Sequence, residues 1–187
     1  MKNIIDGDGF NVKPIFTVDW ETWFNAVIPK YHWWKYQSDI KEPTMFLLNV
    51  LSKYEVTAIF YLLGWLWTRN YELVAEIRNR GHIIGSHGEW HNHGEKSDAR
   101  YFRSPYWDTT PMPFPPSGGF FFRALPLWYI KWAVIKSGVF WIHPHDIMNH
   151  HPALDNKLLH FKRQFGLKQS RLKLNKLLSE VEFGKPS

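Results

Sequence analysis

The stretch GHIIGSHGEWHNHG, residues 81–94, contains four histidines, and the last three of them lie close together. His87 and His91 are four positions apart, and His93 follows two residues later. Imidazole nitrogens are common ligands of zinc and related divalent metals, often together with a carboxylate from another part of the chain. The stretch therefore indicates a metal site whose remaining ligand must be sought elsewhere.

Two acids in the stretch FTVDWETWF are candidates for that ligand. Asp19 and Glu21 are two positions apart, so both side chains point to the same side of an extended strand. A pair of carboxylates near one metal can divide the work, one binding the ion and the other accepting a proton.

Short apolar runs alternate with segments of helical periodicity along the first half of the chain. The runs KPIFTVDWE, VTAIFYLLG and HIIGSH are typical of buried strands, whereas EPTMFLLNVLSKYE and NYELVAEIRNRG are typical of helices. Strands that alternate with helices predict a parallel sheet covered by helices. In such folds the working residues collect at the carboxyl ends of the strands, where the acids of the first run and the histidines after the third are expected.

The second half predicts a loop, a helix, a strand and a basic tail. Residues 103–121 are dense in proline and glycine, as ordered loops are. A helix is predicted from about Leu127 until Gly138 ends it, and VFWIHPHD is the next strand. The tail, residues 152–187, has the pattern of one or two amphipathic basic helices.

The composition excludes some classes of protein and favours others. A chain of 187 residues normally makes one domain, and residues 1–187 are predicted to form one. The absence of cysteine excludes disulfides and thiolate metal sites. The net charge of +6, much of it in the tail, favours anionic partners such as a phosphate-bearing glycolipid or a membrane surface. The sequence has no motif for reading RNA, and we expect no nucleic-acid partner.

The apolar segments predict no secretion signal and no membrane span. The stretch MKNIIDGDGFNVKP lacks the apolar run of a secretory signal. The segments TAIFYLLGWLW and LPLWYIKWAVIKSGVFWI are too short, or too interrupted by lysine, to cross a bilayer. The sequence therefore predicts cytoplasmic residence, with peripheral membrane contact as a further expectation.

Taken in order, the motifs resemble those of the polysaccharide deacetylases, the NodB-like superfamily of chitin-oligosaccharide and peptidoglycan N-deacetylases. The resemblance covers about residues 15–147 and rests on five stretches: FTVDWETWF, GSHGEWH, FRSPYW, PPSGGFFFRALP and FWIHPHD. It implies an α/β fold, an irregular (β/α)7-type barrel with C-terminal helices. Only eleven residues join His91 to Arg103, fewer than relatives usually have, so we expect an incomplete barrel. A missing strand would leave an apolar edge that a second copy of the chain could cover, giving a homo-oligomer.

The resemblance also implies a role for each candidate residue. Glu21, His87 and His91 would hold a divalent metal, with zinc favoured over cobalt or nickel. The implied catalytic residues are Asp19 as the base, Arg103 beside it, Tyr106 with its backbone N–H as the oxyanion donor, His143 as the acid and Asp146 as the partner of that acid.

Some of these assignments have alternatives. Asp19 and Glu21 can exchange roles, because most relatives carry two aspartates in the first motif. His93 competes with His91 for the metal, although the family spacing favours His91. His145 stands where relatives usually carry an aromatic residue, and its role is open.

Other aromatic residues and histidines are given no firm role. Three tryptophans flank the motifs and either line a sugar groove or pack in the core: Trp20, Trp107 and Trp141. Three histidines after the last motif are expected to be solvated: His150, His151 and His160.

The favoured function is metal-dependent removal of the acetyl group from an N-acetylated sugar, with a lipid-linked or nucleotide-linked glycan precursor as substrate. One alternative is a metal-independent amidohydrolase of the same superfamily, which the spacing of His87 and His91 disfavours. Another is an inactive, deacetylase-derived glycan-binding protein, which the shortened middle of the chain favours.

Overall fold

The computed structural model describes residues 13–25, 28, 30–36, 40–92, 96–103 and 112–186. Three residues singled out from the sequence lie outside this part of the chain: His93, Tyr106 and Trp107. The strands are β1 (Ile15–Trp20), β2 (Ala58–Leu62), β3 (Ile83–Ser86) and β4 (Val139–Ile142). The α-helices are α1 (Lys41–Lys53), α2 (Gly64–Trp67), α3 (Tyr71–Asn79), α4 (Gly119–Ala124), α5 (Leu127–Ser137), α6 (Lys157–Gln164) and α7 (Leu167–Glu180).

The four strands form one parallel sheet in the order β3-β2-β1-β4. Every residue of β2 is buried, as expected for a strand covered on both faces. The prediction of a parallel α/β sheet is confirmed. The prediction of an incomplete barrel also fits, because the described residues supply four strands rather than about seven.

The helices bury their apolar stripes against this sheet. In α3 the stripe is Leu73, Val74 and Ile77, at the spacing of one helical face. In α7, within the basic tail, Leu174 and Leu177 belong to the same core as the strands. The tail therefore packs on the fold through apolar side chains, and its two amphipathic helices match the sequence-based expectation.

Four short elements were not predicted from the sequence. Residues Lys30–Lys35 and Pro144–Ile147 form 3₁₀ helices, the second within the stretch VFWIHPHD that we expected to be a strand, and α2 and α4 each contain six residues or fewer. The helix α4 begins inside residues 103–121, which we expected to be a loop. Such short helices give too little periodicity to be recognised.

None of the described helices has both the length and the apolar sequence needed to cross a membrane.

A buried histidine makes the stability of the fold depend on pH. The backbone N–H of Ala58 donates a hydrogen bond to Nδ1 of His82 at 3.2 Å, which requires that nitrogen to be unprotonated. Burial, helped by Arg80, lowers the pKa of His82 from 6.5 to about 4. The unfolded chain therefore binds more protons than the folded chain between these pH values, and stability falls as pH falls through this range.

We expect acidification from pH 6.5 to 4 to cost roughly 1–2 kcal/mol through His82, once solvent screening is allowed for. His82→Asn keeps an acceptor for the Ala58 N–H but does not titrate, so its melting temperature should fall less with pH. The exposed His150→Asn is the matched control. Equal pH slopes for wild type and H82N, measured by calorimetry, would contradict the assignment.

Candidate active site

The polar residues singled out from the sequence meet at the carboxyl edge of the sheet. Asp19 lies near the end of β1 and Glu21 directly after it, His87 follows β3, and His143 follows β4. Because β1 lies between β2 and β4, its end is the centre of this edge. The parallel sheet therefore brings together residues that lie up to 124 positions apart in the sequence (19 to 143).

The metal ligands implied by the sequence lie close together. One potential ligand atom from each of Glu21, His87 and His91 lies within 4.8 Å of the others, and all three residues are buried. Nδ1 of His87 donates a hydrogen bond to the carbonyl of Arg103 at 2.8 Å, which leaves the Nε2 lone pair for a ligand. His91 adopts a φ of +57°, an uncommon backbone conformation for a residue with a side chain.

This arrangement fits a divalent cation. Nε2 of His91 lies 2.7 Å from Oε2 of Glu21, yet this buried oxygen accepts no well-directed hydrogen bond. The rings of His87 and His91 meet at 73° with centroids 5.6 Å apart, as imidazoles converging on one ion do. Two imidazoles and one carboxylate are a usual donor set for catalytic zinc and leave a coordination position open.

The charges around Glu21 favour its ionised form. Burial alone would raise the pKa of Glu21, but His91, His143 and His87 together lower it to about 2. Burial opposes protonation of His91, yet the Glu21 carboxylate raises its pKa above the ordinary value. Burial lowers the pKa of His87, which favours the neutral, ligand-competent ring.

A second group of potential ligand atoms, from Glu21, His143 and His145, is less suited to an ion. The two imidazoles are stacked at 4.4 Å and 11°, so their in-plane lone pairs do not converge. Nδ1 of His143 is already bonded to Asp146, and Arg163 donates to Nε2 of His145. The first group is therefore the candidate metal centre.

A buried ion pair lies beside this centre. Nη1 of Arg103 donates to Oδ1 of Asp19 at 2.9 Å, and both side chains are almost fully buried. Arg103 reaches this position because a parallel bridge joins its segment to the end of β3: the Ser86 N–H donates to the Tyr101 carbonyl, and the Arg103 N–H donates to the Ser86 carbonyl. The pair holds one carboxylate oxygen of Asp19 and fixes the direction of the other.

Tyr61 supports the guanidinium of Arg103, a role that no sequence pattern indicates. Tyr61 is the strand partner of Asp19, and Arg103 lies over its ring at 4.5 Å. A Cβ atom at Gly85 would lie 2.7 Å from that ring, so only glycine leaves room for it. A tyrosine within an apolar strand is typical of core packing, so the sequence pattern does not distinguish Tyr61 from its buried neighbours.

His143 is oriented by Asp146. Nδ1 of His143 lies 2.8 Å from Oδ2 of Asp146, while its Nε2 faces Oε1 of Glu21 at 3.6 Å. Burial opposes protonation of His143, but Asp146 and then Glu21 raise its pKa above the ordinary value. The imidazole can therefore carry a proton toward the centre of the site.

Arg123 binds the carboxylate oxygen of Asp146 that does not contact His143, a role not predicted from the sequence. Its Nε donates to Oδ1 of Asp146 at 2.9 Å. Its Nη1 donates to three carbonyls at the end of α6, those of Lys162, Arg163 and Phe165. Arg123 belongs to the stretch PPSGGFFFRALP, which is part of the family resemblance, but the resemblance implied no role for this residue.

The remaining histidines and tryptophans differ in how far their exposure agrees with the sequence-based expectation. His151 is buried against His145, which corrects the expectation that it is solvated, and burial lowers its pKa to about 4. His150 is exposed, as expected, and His160 is partly buried. Trp20 is fully buried and belongs to the core, whereas Trp141 lines a cleft next to His143.

A comparison with protein families divides the chain into two matched segments. Residues 35–110 match the family model described as polysaccharide deacetylase. Over these residues the chain is similar to the polysaccharide deacetylases. Residues 104–187 match a second model, described as a domain of unknown function, DUF3473. No curated protein matches the sequence significantly.

Two solved structures have a similar fold. A CE4 family pseudoenzyme from Bacillus anthracis superposes with a TM-score of 0.51 at 13% identity, over 92% of this chain and 64% of that one. A protein from Mycobacterium smegmatis, provisionally described as a polysaccharide deacetylase, gives 0.52 at 12% identity, over 90% and 84%. The chain thus spans slightly less than two thirds of the length of the first of these. At such low identities the likeness establishes the fold.

The two matched segments contribute different parts of the site. His87, His91 and Arg103 lie in the deacetylase segment, whereas Arg123, His143 and Asp146 lie in the segment of unknown function. Asp19 and Glu21 precede both matches.

Proposed function

We propose that the chain is a metal-dependent hydrolase that removes the acetyl group from an N-acetylated sugar. The observation that carries the proposal is the convergence of Glu21, His87 and His91 within 4.8 Å, next to the buried Asp19–Arg103 pair. A cation bound by these three residues would supply Lewis acidity, which polarises a carbonyl and makes water easier to deprotonate. Zinc suits the donor set best, and cobalt or nickel could replace it.

Asp19 is the proposed general base. Its Oδ1 accepts from Arg103, so the other oxygen is left to take the proton of the attacking water. The water oxygen then bonds to the acetyl carbon. Because Asp19 lies beside Glu21, base and ligand act on the same small volume, and the fixed guanidinium keeps the base from turning away.

His143 is the proposed general acid. Its Nδ1 is held by Asp146, and its Nε2 faces the centre of the site, from which it can protonate the amide nitrogen as the C–N bond breaks. Acetate and the free amine are the products. The backbone N–H of Tyr106 remains the proposed oxyanion donor on the sequence resemblance alone, because Tyr106 lies outside the described residues.

Two features favour catalysis over the alternatives. The donor set at Glu21, His87 and His91 argues against a metal-independent amidohydrolase. The base, acid and ligand candidates all converge here, which argues against a binding protein that has lost its chemistry. The likeness to the pseudoenzyme from Bacillus anthracis is one of fold, at 13% identity.

The proposal is tested by acetate release. Purified protein, stripped with chelator and reloaded with zinc, cobalt or nickel, is incubated with N-acetylglucosamine, its β-1,4-linked oligomers and its nucleotide-linked form. We expect acetate only in the metal-loaded samples and about one equivalent of bound metal. A chain that binds no metal and releases no acetate from any of these donors would refute the proposal.

Arg123 is a positioning residue for His143, and its replacement separates this role from a purely structural one. Arg123→Lys keeps a positive charge near Asp146 but cannot reach the three carbonyls of α6 as well. We expect kcat to fall by about 10- to 100-fold as Asp146 and His143 lose their alignment. The exposed Arg78→Lys is the control.

The pH profile of the Arg123→Lys variant distinguishes the two roles. Asp146 raises the pKa of His143, so a displaced Asp146 should move the alkaline limb of kcat to lower pH. A variant that melts earlier but keeps its profile would show that Arg123 only stabilises the fold.

A further inference from the structure

A cleft of about 500 Å³ opens beside the proposed acid. Glu21 and His143 form its inner wall, so a molecule in the cleft would touch the reacting centre. Its outer wall comes mainly from α4 and α6, which the family comparison assigns to the segment of unknown function. The cleft is therefore a candidate for the substrate position next to the acetylated sugar.

The cleft has basic side chains that can pair with a bound anion, whereas its acids already have partners. Of the acids that line it, Asp146 is held by Arg123, and Glu21 faces the histidines of the candidate metal centre. Lys162 and Arg163 also line the cleft, and no ion pair among the described residues includes either of them. Two cations are thus available to a ligand.

Arg163 is the more informative of these two cations. It is partly buried, and it donates to Nε2 of His145, a ring that burial and the guanidinium keep neutral by lowering its pKa. The carboxylates of Asp146 and Glu21 offset part of its lost hydration, but burial still lowers the pKa of Arg163, so the compensation is incomplete. An anion bound in the cleft would supply the remaining compensation.

The cleft also offers apolar surface for a sugar ring. Phe120 is 37% exposed, and Trp141 and Leu159 line the cleft beside it. The Trp141 ring packs directly on the backbone of Gly118, because a Cβ atom there would lie 2.4 Å from the ring. Aromatic faces next to cations suit a ring that carries an acidic substituent.

We propose that this cleft binds an anionic group, phosphate or carboxylate, carried by the N-acetylated sugar or by the unit attached to it. The proposal rests on the proposed deacetylase function and narrows its substrate class from neutral to acidic sugars. It also gives the segment of unknown function a role, because α6 supplies Lys162 and Arg163, the two cations that would bind the anion.

Binding measurements test the cleft without relying on turnover. Zinc-loaded protein carrying Asp19→Asn, which is expected to be inactive, is titrated with three sugars in a calorimeter. N-acetylglucosamine is neutral, its 1-phosphate carries a phosphate, and N-acetylmuramic acid carries a carboxylate. We expect at least one acidic sugar to bind on the order of tenfold more tightly than the neutral one, and less so at high salt. The tighter of the two identifies the group.

A pair of charge reversals in α6 locates the effect. Lys162→Glu in the cleft should abolish the preference for the acidic sugar. Lys157→Glu is the matched control, because Lys157 is an exposed residue of the same helix outside the cleft lining, and it should leave the preference unchanged. Equal binding of all three sugars, an unchanged preference in K162E, or no binding of any sugar would overturn the proposal.

These outcomes are separate from those of the proposed function. Acetate release from neutral oligomers without a preference for acidic sugars would refute the acidic subsite and leave the deacetylase proposal standing. If the protein releases no acetate but prefers acidic sugars through Lys162, the deacetylase proposal is refuted and the acidic subsite stands.

Discussion

Asp19→Asn is expected to lower kcat by on the order of 10³-fold while the protein keeps its metal. The amide cannot accept a proton at neutral pH, so the water that attacks the acetyl carbon loses its base. Its carbonyl oxygen can still accept the Arg103 hydrogen bond that Oδ1 accepts at 2.9 Å. The variant should therefore fold, although it loses the charge of a buried ion pair.

The measurements are kcat with a fixed N-acetylated donor, metal content and melting temperature. Asp155→Asn, an exposed aspartate, is the matched control for the change of charge. Near-normal activity in D19N would exclude Asp19 as the base. Loss of metal together with activity would mean that Asp19 is a ligand and that the two acids of the first motif have exchanged roles.

The strands of the fold could be predicted from the sequence because each is a short apolar run with β-branched or aromatic residues. The acids at the end of β1 and the histidines after β3 could be placed at one edge, because carboxyl ends of parallel strands share an edge. The order of the strands could not be predicted. Nothing in the stretch at Val139–Ile142 indicates that it pairs with the free side of β1.

The supporting residues of the site could not be predicted for a different reason. Arg123 acts through contacts with Asp146, 23 positions away, and with the end of α6, 39 to 42 positions away. Tyr61 acts through Arg103, which a separate loop brings over its ring. His151 lies in a polar stretch but is buried by the packing of His145. Such roles depend on tertiary contacts that periodicity does not encode.

The basic tail is part of the candidate site as well as of the core. From the sequence it was a charged helical region that suggested an anionic partner. In the structure, α7 contributes Leu174, Leu177 and Leu178 to the core, while the end of α6 is bonded to Arg123 and so to Asp146 and His143. A change in α6 can therefore reach the proposed acid through two side chains.

Glu21→Gln is expected to remove the metal and with it all detectable acetate release. Glu21 is the only carboxylate in the candidate set, and a carbonyl amide is a much weaker ligand for zinc than an ionised carboxylate. We expect zinc affinity to fall by at least about 100-fold, more than the usual cost of losing a residue that only supports a ligand. Zinc should raise the melting temperature of the wild type but not that of E21Q.

The control for this variant is Glu72→Gln, which removes an exposed carboxylate from the first turn of α3. Circular dichroism of metal-free E21Q establishes whether the fold survives the loss of the contact with His91. Zinc bound to E21Q with the affinity of the wild type would show that the ion is held by another set of residues. In that case Asp19, the other acid of the first motif, would be the carboxylate ligand, and a loss of acetate release in metal-loaded E21Q would identify Glu21 as the base.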